Sequence, residues 1–108
     1  MKTPNLNRKL ILEAPERVAD GAGGYTDTWT PKGTIWAEVL PRGSGREVEA
    51  SALNLQITIR AAPQGAPSRP DAAMRFRGGA RIYRLEAVTE ADAAGRYLVC
   101  FAKEEVGA

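Results

Sequence analysis

The chain contains no histidine and a single cysteine among its 108 residues. Histidine is the commonest general base and a common zinc ligand, so its absence excludes most familiar catalytic and metal sites. One cysteine forms no intrachain disulfide and, without histidine, no zinc-binding set. Cys100 lies in an apolar run, which predicts a buried, unreactive thiol. The thirteen carboxylates fall in no recognisable catalytic motif, so we expect no enzymatic activity, no bound metal and no cofactor.

Long hydrophobic runs are also missing. The sequence has no apolar stretch of about 18 residues and no signal-peptide core, so we expect neither membrane insertion nor secretion by the usual route. A hydrophobic content of 44% and a charged content of 26% are ordinary for a folded domain. We therefore treat residues 1–108 as one domain. Its net charge of +2 is too small for a strongly basic DNA coat.

Glycines are concentrated in residues 20–29, DGAGGYTDTW, which could form a phosphate loop, a metal loop or a turn. A phosphate loop needs a lysine, a hydroxyl and a following helix. Residues 25–30 instead alternate and are rich in β-branched and aromatic side chains, which predicts a strand. Residues 8–14 are strand-like as well. The glycines therefore predict a tight hairpin, for which they supply the positive φ angles.

Alternating side chains predict most of the remaining chain as short strands, at residues 34–40, 53–60, 74–77, 80–88 and 96–103. Gly78 and Gly79 are predicted as a two-residue turn. Both faces of the last strand are apolar, so we expect it to be central or covered on both sides. Together with the hairpin, these strands predict an all-β fold, a small antiparallel barrel or sandwich of about six or seven strands.

The sequence alone does not settle how deeply two strand faces are buried. Tyr25 and Trp29 share one face, either a core edge or an inter-subunit surface, and we favour the core. Trp36 and Leu40 lie on the second face of the strand at 34–40, and we expect this face to be partly covered.

Residues 41–52, PRGSGREVEASA, interrupt the alternation. Ser44 followed by Glu47 fits a capping box, which permits a short helical turn from Gly45 to about Ala52. Val48 is the only large apolar residue there, and such short helices are marginal in water. From the residues alone, a solvated crossover loop is favoured over a segment that orders against a partner. Residues 61–73, with three prolines, are predicted as an extended loop.

Basic and acidic residues are unevenly distributed. Residues 60–84 contain six arginines and one acid, whereas residues 85–108 contain two bases and five acids. Arginines also interleave with aromatic residues, as they do in single-strand binders, at Arg75-Phe76-Arg77 and around Tyr83 between Arg81 and Arg84. Alternatively, the arginines keep an exposed sheet soluble, or the basic and acidic faces of neighbouring copies meet in a ring.

Several segments, taken in order, resemble one protein family. They are residues 10–12, GGYTDTW (23–29), IWAEVLP (35–41), SGREVEAS (44–51), ITIR (57–60) and MRFRGGARIYRLEAVTEADAAGRYLVCFAKE (74–104). The set resembles the small head–tail joining proteins of tailed phages, also called head-completion, stopper or connector proteins. The likeness spans about residues 6–105, and its signal is the ordered set rather than one motif. The Ala-, Arg- and Gly-rich composition suits a prophage or a gene transfer agent.

The resemblance implies a structural virion protein made in the bacterial cytoplasm. Such a protein forms a homo-oligomeric ring of six or twelve copies, with the portal or adaptor protein on the head side and the tail terminator or tail tube protein on the tail side. The ring retains packaged double-stranded DNA and provides the tail docking surface. Its channel loop corresponds here to residues 41–52, with candidate DNA-gate residues Arg42, Gly43, Ser44, Gly45, Arg46, Glu47, Val48 and Glu49. Candidate contacts with another copy or a partner are Gly23, Gly24, Arg75, Arg77, Arg81 and Arg84.

Two other functions remain open at this point. One is a free-standing barrel that binds single-stranded nucleic acid through residues 60–84, in a strongly salt-dependent way. The other is a tail-terminator protein, which serves the same junction from the next layer. The adaptor class tends to be helical, and the β pattern argues against it.

Overall fold

The structure, a computed structural model, describes residues 3–42, 52–63 and 65–105. It contains six strands, which are β1 (Arg8–Ala19), β2 (Tyr25–Pro41), β3 (Ala52–Arg60), β4 (Arg75–Gly78), β5 (Arg81–Glu90) and β6 (Tyr97–Glu105). All neighbouring strands are antiparallel and follow the order β1-β2-β3-β6-β5-β4. β4 pairs with β1 and closes the sheet into a barrel. The predicted all-β, antiparallel fold is confirmed.

Alternate residues of the strands fill the barrel interior, as a period of two requires. The buried cluster consists of Leu10, Leu12, Ala37, Leu55, Ile57, Ile59, Phe76, Tyr83, Leu85, Leu98, Cys100 and Ala102. β6 lies between β3 and β5. Its inward residues are fully buried, and on its outward face Val99 is only 8% exposed, whereas Tyr97 and Phe101 are half-buried, so the second face is covered in part. Burial raises the pKa of the Cys100 thiol to about 12, as expected for an unreactive cysteine.

A β-bulge joins two segments that the sequence predicts as separate strands. β2 runs unbroken for 17 residues. Within its pairing to β1, Leu12 faces Gly33 and Glu13 faces Pro31, so Lys32 has no counterpart. Such an extra residue bends a strand without ending it. The Pro-Lys-Gly sequence therefore marks a bulge, and the fold has six strands rather than seven.

The glycine-rich segment is the predicted hairpin turn. Gly21 and Gly23 have φ angles of 82° and 87°, which favour glycine. One carboxylate oxygen of Asp20 accepts hydrogen bonds from the amides of Ala22, at 2.8 Å, and Gly24, at 3.1 Å. The acidic residue before the glycines therefore stabilises the turn.

The other connections differ slightly from prediction. Gly78 pairs with Arg81, so the β4–β5 turn consists of Gly79 and Ala80, one residue later than predicted. A Cβ on Gly78 would lie only 2.9 Å from Leu10 Cδ2, so a larger residue here would force the buried Leu10 side chain to shift. The described residues between β3 and β4, 61–63 and 65–74, lie outside the strands, as predicted for the loop at 61–73. β4 begins at Arg75, one residue later than predicted.

The two terminal residues of the segment predicted as a loop at 41–52 belong to strands. Pro41 belongs to β2 and pairs with Leu55, and Ala52 belongs to β3 and pairs with Glu105. The chain therefore leaves the sheet at Arg42 and re-enters it at Ala52. Because strand direction alternates, this connection and the β4–β5 turn lie at one end of the barrel, which we call the loop end. The β1–β2 turn lies at the opposite end, the arm end.

The β1–β2 hairpin extends well beyond the barrel. β4 pairs with β1 only as far as Glu13, and β3 pairs with β2 only from Ala37. Residues 14–30 therefore project as a two-stranded ribbon, which we call the arm. The radius of gyration is 15.0 Å and the longest dimension 52 Å, compared with about 13 Å for a compact chain of this length.

One of the two expectations about apolar strand faces is wrong. Tyr25, predicted in the core, lies on the arm and is 66% exposed. Trp36 and Leu40, expected on a partly covered face, are 54% and 45% exposed on the outer wall of the barrel, so that face is partly covered. Alternation groups the residues of each face correctly but does not tell how deeply the face is buried.

Candidate interaction surfaces

A buried ion-pair cluster fixes the base of the arm to the barrel. Glu13 is 5% exposed and accepts hydrogen bonds from Arg75 Nε at 2.7 Å and Arg77 Nε at 2.9 Å. The Arg75 guanidinium also lies 4.2 Å from the centroid of the Trp29 ring, a cation–π distance. Burial alone would raise the pKa of Glu13, but the hydrogen bonds from Arg77 and Arg75 outweigh it and hold the pKa below its usual range.

No local pattern marks Glu13 as important in the sequence. Its partners are 62 and 64 residues away along the chain, and only the pairing of β1 with β4 brings them together. The predicted contact residues Arg75 and Arg77 are therefore engaged within their own chain. Arg75 alone also contacts the arm, through the Trp29 ring. The contact of both arginines with another copy or a partner remains a prediction.

The arm has one face that is rich in aromatic residues and arginine. Cross-strand pairing sets Pro15 opposite Trp29, and Arg17 opposite Asp27, with Tyr25 at the end of the same face. Arg17 forms an exposed ion pair with Asp27 at 3.5 Å, and its guanidinium lies 5.6 Å from the Tyr25 ring centroid. We call these five residues the aromatic face. Tyrosine, tryptophan and arginine are the residues enriched at interaction hot spots.

The opposite face of the arm is more polar. Its members are Ala14, Glu16, Val18, Thr26, Thr28 and Thr30. Thr30 Oγ1 donates to the Glu16 carboxylate at 2.6 Å, and Thr28 Oγ1 to the Glu16 carbonyl at 3.3 Å. Gly23 and Gly24, predicted as partner contacts, lie at the tip of the arm. Their role remains a prediction.

The four arginines predicted as contacts do not form one surface. Arg75, Arg77 and Arg84 lie on the outer wall, where Arg75 is directly opposite Arg84. Arg84 pairs with Glu105 at 3.4 Å. Arg81 has the opposite strand parity and donates two hydrogen bonds of 2.7 Å to Glu104 at the loop end. This hydrogen bonding raises the pKa of Arg81 and lowers that of Glu104.

The interleaved aromatic residues are not available to stack on bases. Phe76 and Tyr83 are fully buried inside the barrel, since the strand period that turns the arginines on β4 outward turns these rings inward. These two rings therefore do not form the base-stacking surface that a single-strand binder needs. Pairs such as Arg81–Glu104 and Arg84–Glu105 also join the basic and acidic segments within one chain, which leaves fewer charges for a neighbouring copy.

Of the predicted channel loop, only the beginning is described. The Arg42 amide donates to the Asn54 carbonyl at 2.9 Å, and the Arg42 guanidinium lies 4.6 Å from the centroid of the Phe101 ring. The candidate DNA-gate residues from Gly43 to Glu49 lie outside the described residues, as does most of the predicted helical turn. Their role remains a prediction.

A shallow recess lies on the outer wall near the arm end. Its volume is about 270 Å³ and its lining is mainly apolar, with Leu6, Ile35, Trp36, Arg60, Ala61 and Ala62 among the lining residues. The sequence does not predict it, because its residues come from the N-terminal segment, β2, the end of β3 and the loop after β3. It is smaller than the pockets that enclose whole small-molecule ligands.

Neither a metal centre nor a membrane-spanning helix is found in the described parts of the chain. Within residues 3–42, 52–63 and 65–105, no three His, Cys, Asp or Glu side chains are grouped so as to hold a metal ion. The same residues include no helix of the length and apolar character needed to cross a membrane.

Comparison with known proteins identifies the family. The family model described as phage head completion protein matches residues 1–105. A chain from a solved structure, "Virion of native gene transfer agent (GTA) particle", is 52% identical with a TM-score of 0.81, over 98% of this chain and 100% of that one. The solution structure of protein SF1141 from Shigella flexneri 2a shares the fold, at 21% identity and a TM-score of 0.71 over 96% of each chain. Curated protein sequences gave no match. The chain belongs to the phage head completion protein family.

Proposed function

We propose that this protein is the stopper-type connector of a phage or gene transfer agent particle. It is a structural component of the head–tail region of a virion and not an enzyme. In the proposed role, copies form a ring of six or twelve beneath the portal or adaptor protein, retain packaged double-stranded DNA and provide the surface on which the tail docks. The observation that carries the proposal is the 52% identity, over almost the whole chain, to a chain of a gene transfer agent virion.

The two ends of the barrel differ, which supports a position between the head-side proteins and the tail-side proteins of the particle. The arm projects from one end, and the connection between Pro41 and Ala52 leaves from the other. A ring built from this chain therefore presents different groups to its head side and its tail side. One end serves the portal or adaptor, and the other serves the tail terminator or tail tube.

DNA retention is assigned to residues 42–49. The ten residues from Arg42 to Ser51 reach at most about 35 Å when extended, at ~3.3–3.6 Å each, which is enough for a ring of such segments to meet across a channel. In this proposal, Arg42 and Arg46 contact phosphates while Glu47 and Glu49 repel them. A mixed lining lets DNA slide, whereas a purely basic one would bind it strongly.

Deleting the gene in its source tests the proposal. Particles are imaged by negative stain, and nuclease-protected DNA is measured in parallel. Tailless heads that lose DNA are the expected result, while normal tailed, DNA-filled particles would contradict the connector function. A cryo-EM map of the neck that places the barrel against the tail tube alone would instead identify a tail terminator.

Deleting residues 43–50 tests the gate separately. The shortened chain should still enter particles, because the barrel core lies outside this segment. Those particles should leak DNA. Unchanged DNA retention would rule out the gate while leaving the connector function in place.

A further inference from the structure

Tyr25 is the most exposed large hydrophobic residue of the described chain, at 66%, and it lies near the tip of a projecting arm. Two-stranded hairpins are only marginally stable in water. Here the arm is fixed at its base, where Glu13 joins Arg75 and Arg77 and Arg75 covers Trp29. An aromatic ring at the end of a fixed support loses little conformational entropy on binding, so the arm is preorganised for a partner.

The recess is the matching feature on the same chain. It is walled by apolar side chains, including the half-exposed Trp36, and its volume of about 270 Å³ suits a side chain rather than a small-molecule ligand. The arm of a chain cannot fill its own recess, because the antiparallel pairing from Ala14 to Ala19 carries Tyr25 away from the barrel. The recess can receive an arm only from another molecule.

The charges of the two features are complementary. The arm, residues 14–30, holds three acids and one base, which gives it a net charge of −2. The whole chain has a net charge of +2, so the residues outside the arm carry +4. Asp27 lies on the same face as Tyr25, and its ion pair with Arg17 leaves 70% of the Asp27 side chain exposed to a second base. Arg60 lines the recess, is exposed, and has no ion pair with any described acid. An arm that inserts Tyr25 into the recess brings Asp27 towards Arg60.

We propose that the aromatic face of the arm docks into the recess of a second copy of this chain, with Tyr25 as the anchor. The contact is heterologous, since different surfaces of the two copies meet, and repeated contacts of this kind close into a ring. Six residue pairs give the arm a length of about 20 Å at ~3.3 Å per residue. This length is comparable to the shorter dimensions of the molecule, 35 and 20 Å, so an arm reaches an adjacent copy. The inference rests on the proposed ring.

Competition for places in the particle tests the anchor. Tagged variants are expressed in the source together with the unaltered chain, so that assembly does not depend on the variant. The share of tagged Tyr25→Ala in purified particles should fall about tenfold or more relative to a tagged unaltered chain, as for a buried aromatic anchor. Val18→Ala is the matched control, since Val18 is 45% exposed on the opposite face of the same arm. Equal incorporation of Tyr25→Ala and the control would overturn the proposal.

Cross-linking identifies the occupant of the recess. Ser68 lines the recess and is exposed, and Ser68→Cys is labelled with a benzophenone maleimide, while the buried Cys100 remains unlabelled. Illumination of particles that contain this variant should join residue 68 to a peptide spanning Tyr25 of a second copy. A cross-link only to another protein, or none to the arm, would overturn the proposal. Neither result alters the outcome of the gene deletion, which tests the connector function independently.

Discussion

Single residues determine how firmly the arm is held, and Glu13 has the central position. Its carboxylate lies at the junction of barrel and arm and is shared by Arg75 and Arg77, whose side chains are only 19% and 37% exposed. A buried carboxylate with two charged donors is stabilising only while both donors are satisfied, since removing one member leaves an uncompensated charge. Both arginines of this cluster therefore bind Glu13 within their own chain, and Arg75 also contacts the arm through Trp29.

Replacing Glu13 by glutamine should lower the free energy of unfolding at pH 7 by about 2 kcal/mol. The loss arises because charged hydrogen bonds to Arg75 and Arg77 become neutral ones in a site that is largely closed to water. Urea denaturation followed by tryptophan fluorescence measures the change. Glu105→Gln is the matched control, since its ion pair with Arg84 is about half exposed on both sides and should contribute less than about 1 kcal/mol. Equal losses in both variants would contradict the special role of Glu13.

The same carboxylate makes stability depend on pH in the acid range. The pKa of Glu13 is lower in the folded chain than its ordinary value of 4.5, so the folded state binds its proton more weakly than the unfolded state does. The stabilisation is fully present above about pH 5 and disappears as the pH falls through the folded pKa. The difference in unfolding free energy between the unaltered chain and Glu13→Gln should therefore shrink below about pH 4. A difference that stays constant from pH 7 to pH 3 would contradict this assignment.

At the scale of elements, the arm is a hairpin that depends on its own turn. Its six residue pairs contribute nothing to the buried cluster, so its local order comes from the turn, the cross-strand contacts and the cluster at its base. Asp20 contributes most to the turn, because one of its oxygens binds two amides. Order in the arm is therefore separable from the stability of the barrel.

Replacing Asp20 by alanine should loosen the arm without unfolding the barrel. Amide hydrogen exchange should accelerate severalfold in residues 19–25, while the melting temperature changes by only about 1–2 °C, since local opening is independent of global unfolding. Asp92→Ala provides the comparison, because Asp92 accepts a hydrogen bond from the Arg96 amide in the β5–β6 turn and should loosen that turn alone. Faster exchange throughout the barrel after Asp20→Ala would contradict the separation.

The strands show what the sequence can and cannot predict. Period-two alternation correctly identified β3 and β6, and the glycines correctly identified the hairpin turn. Alternation tells which side chains share a face, but not whether another strand covers that face, which is why the prediction that Tyr25 lies in the core is wrong. The bulge at Lys32 and the cluster around Glu13 depend on strand pairing across the sheet, so no local pattern predicted them.

At the scale of the whole molecule, the chain divides into a closed barrel that folds around its own core and an arm that adds surface without core. Burying apolar area is the main stabilising term in folding, and the arm buries little, with Val18 and Tyr25 largely exposed. Because the arm buries so little apolar area within the monomer, it is best explained by contacts that it makes with other molecules after folding. The proposed ring provides such contacts, and removing the arm separates folding from assembly.

A chain without the arm should fold but fail to assemble. Residues 15–29 are replaced by Asn-Gly, a two-residue turn that fits the paired Ala14 and Thr30. Far-ultraviolet circular dichroism and urea denaturation should show a folded barrel, because every residue of the buried cluster is retained. Small-angle scattering should give a radius of gyration about 2 Å below that of the unaltered chain, close to the value for a compact chain of this size. In competition with the unaltered chain, the armless variant should be nearly absent from particles.

Normal incorporation of the armless variant would mean that the barrel walls alone hold the ring together. An unfolded variant would mean that the arm contributes to folding after all.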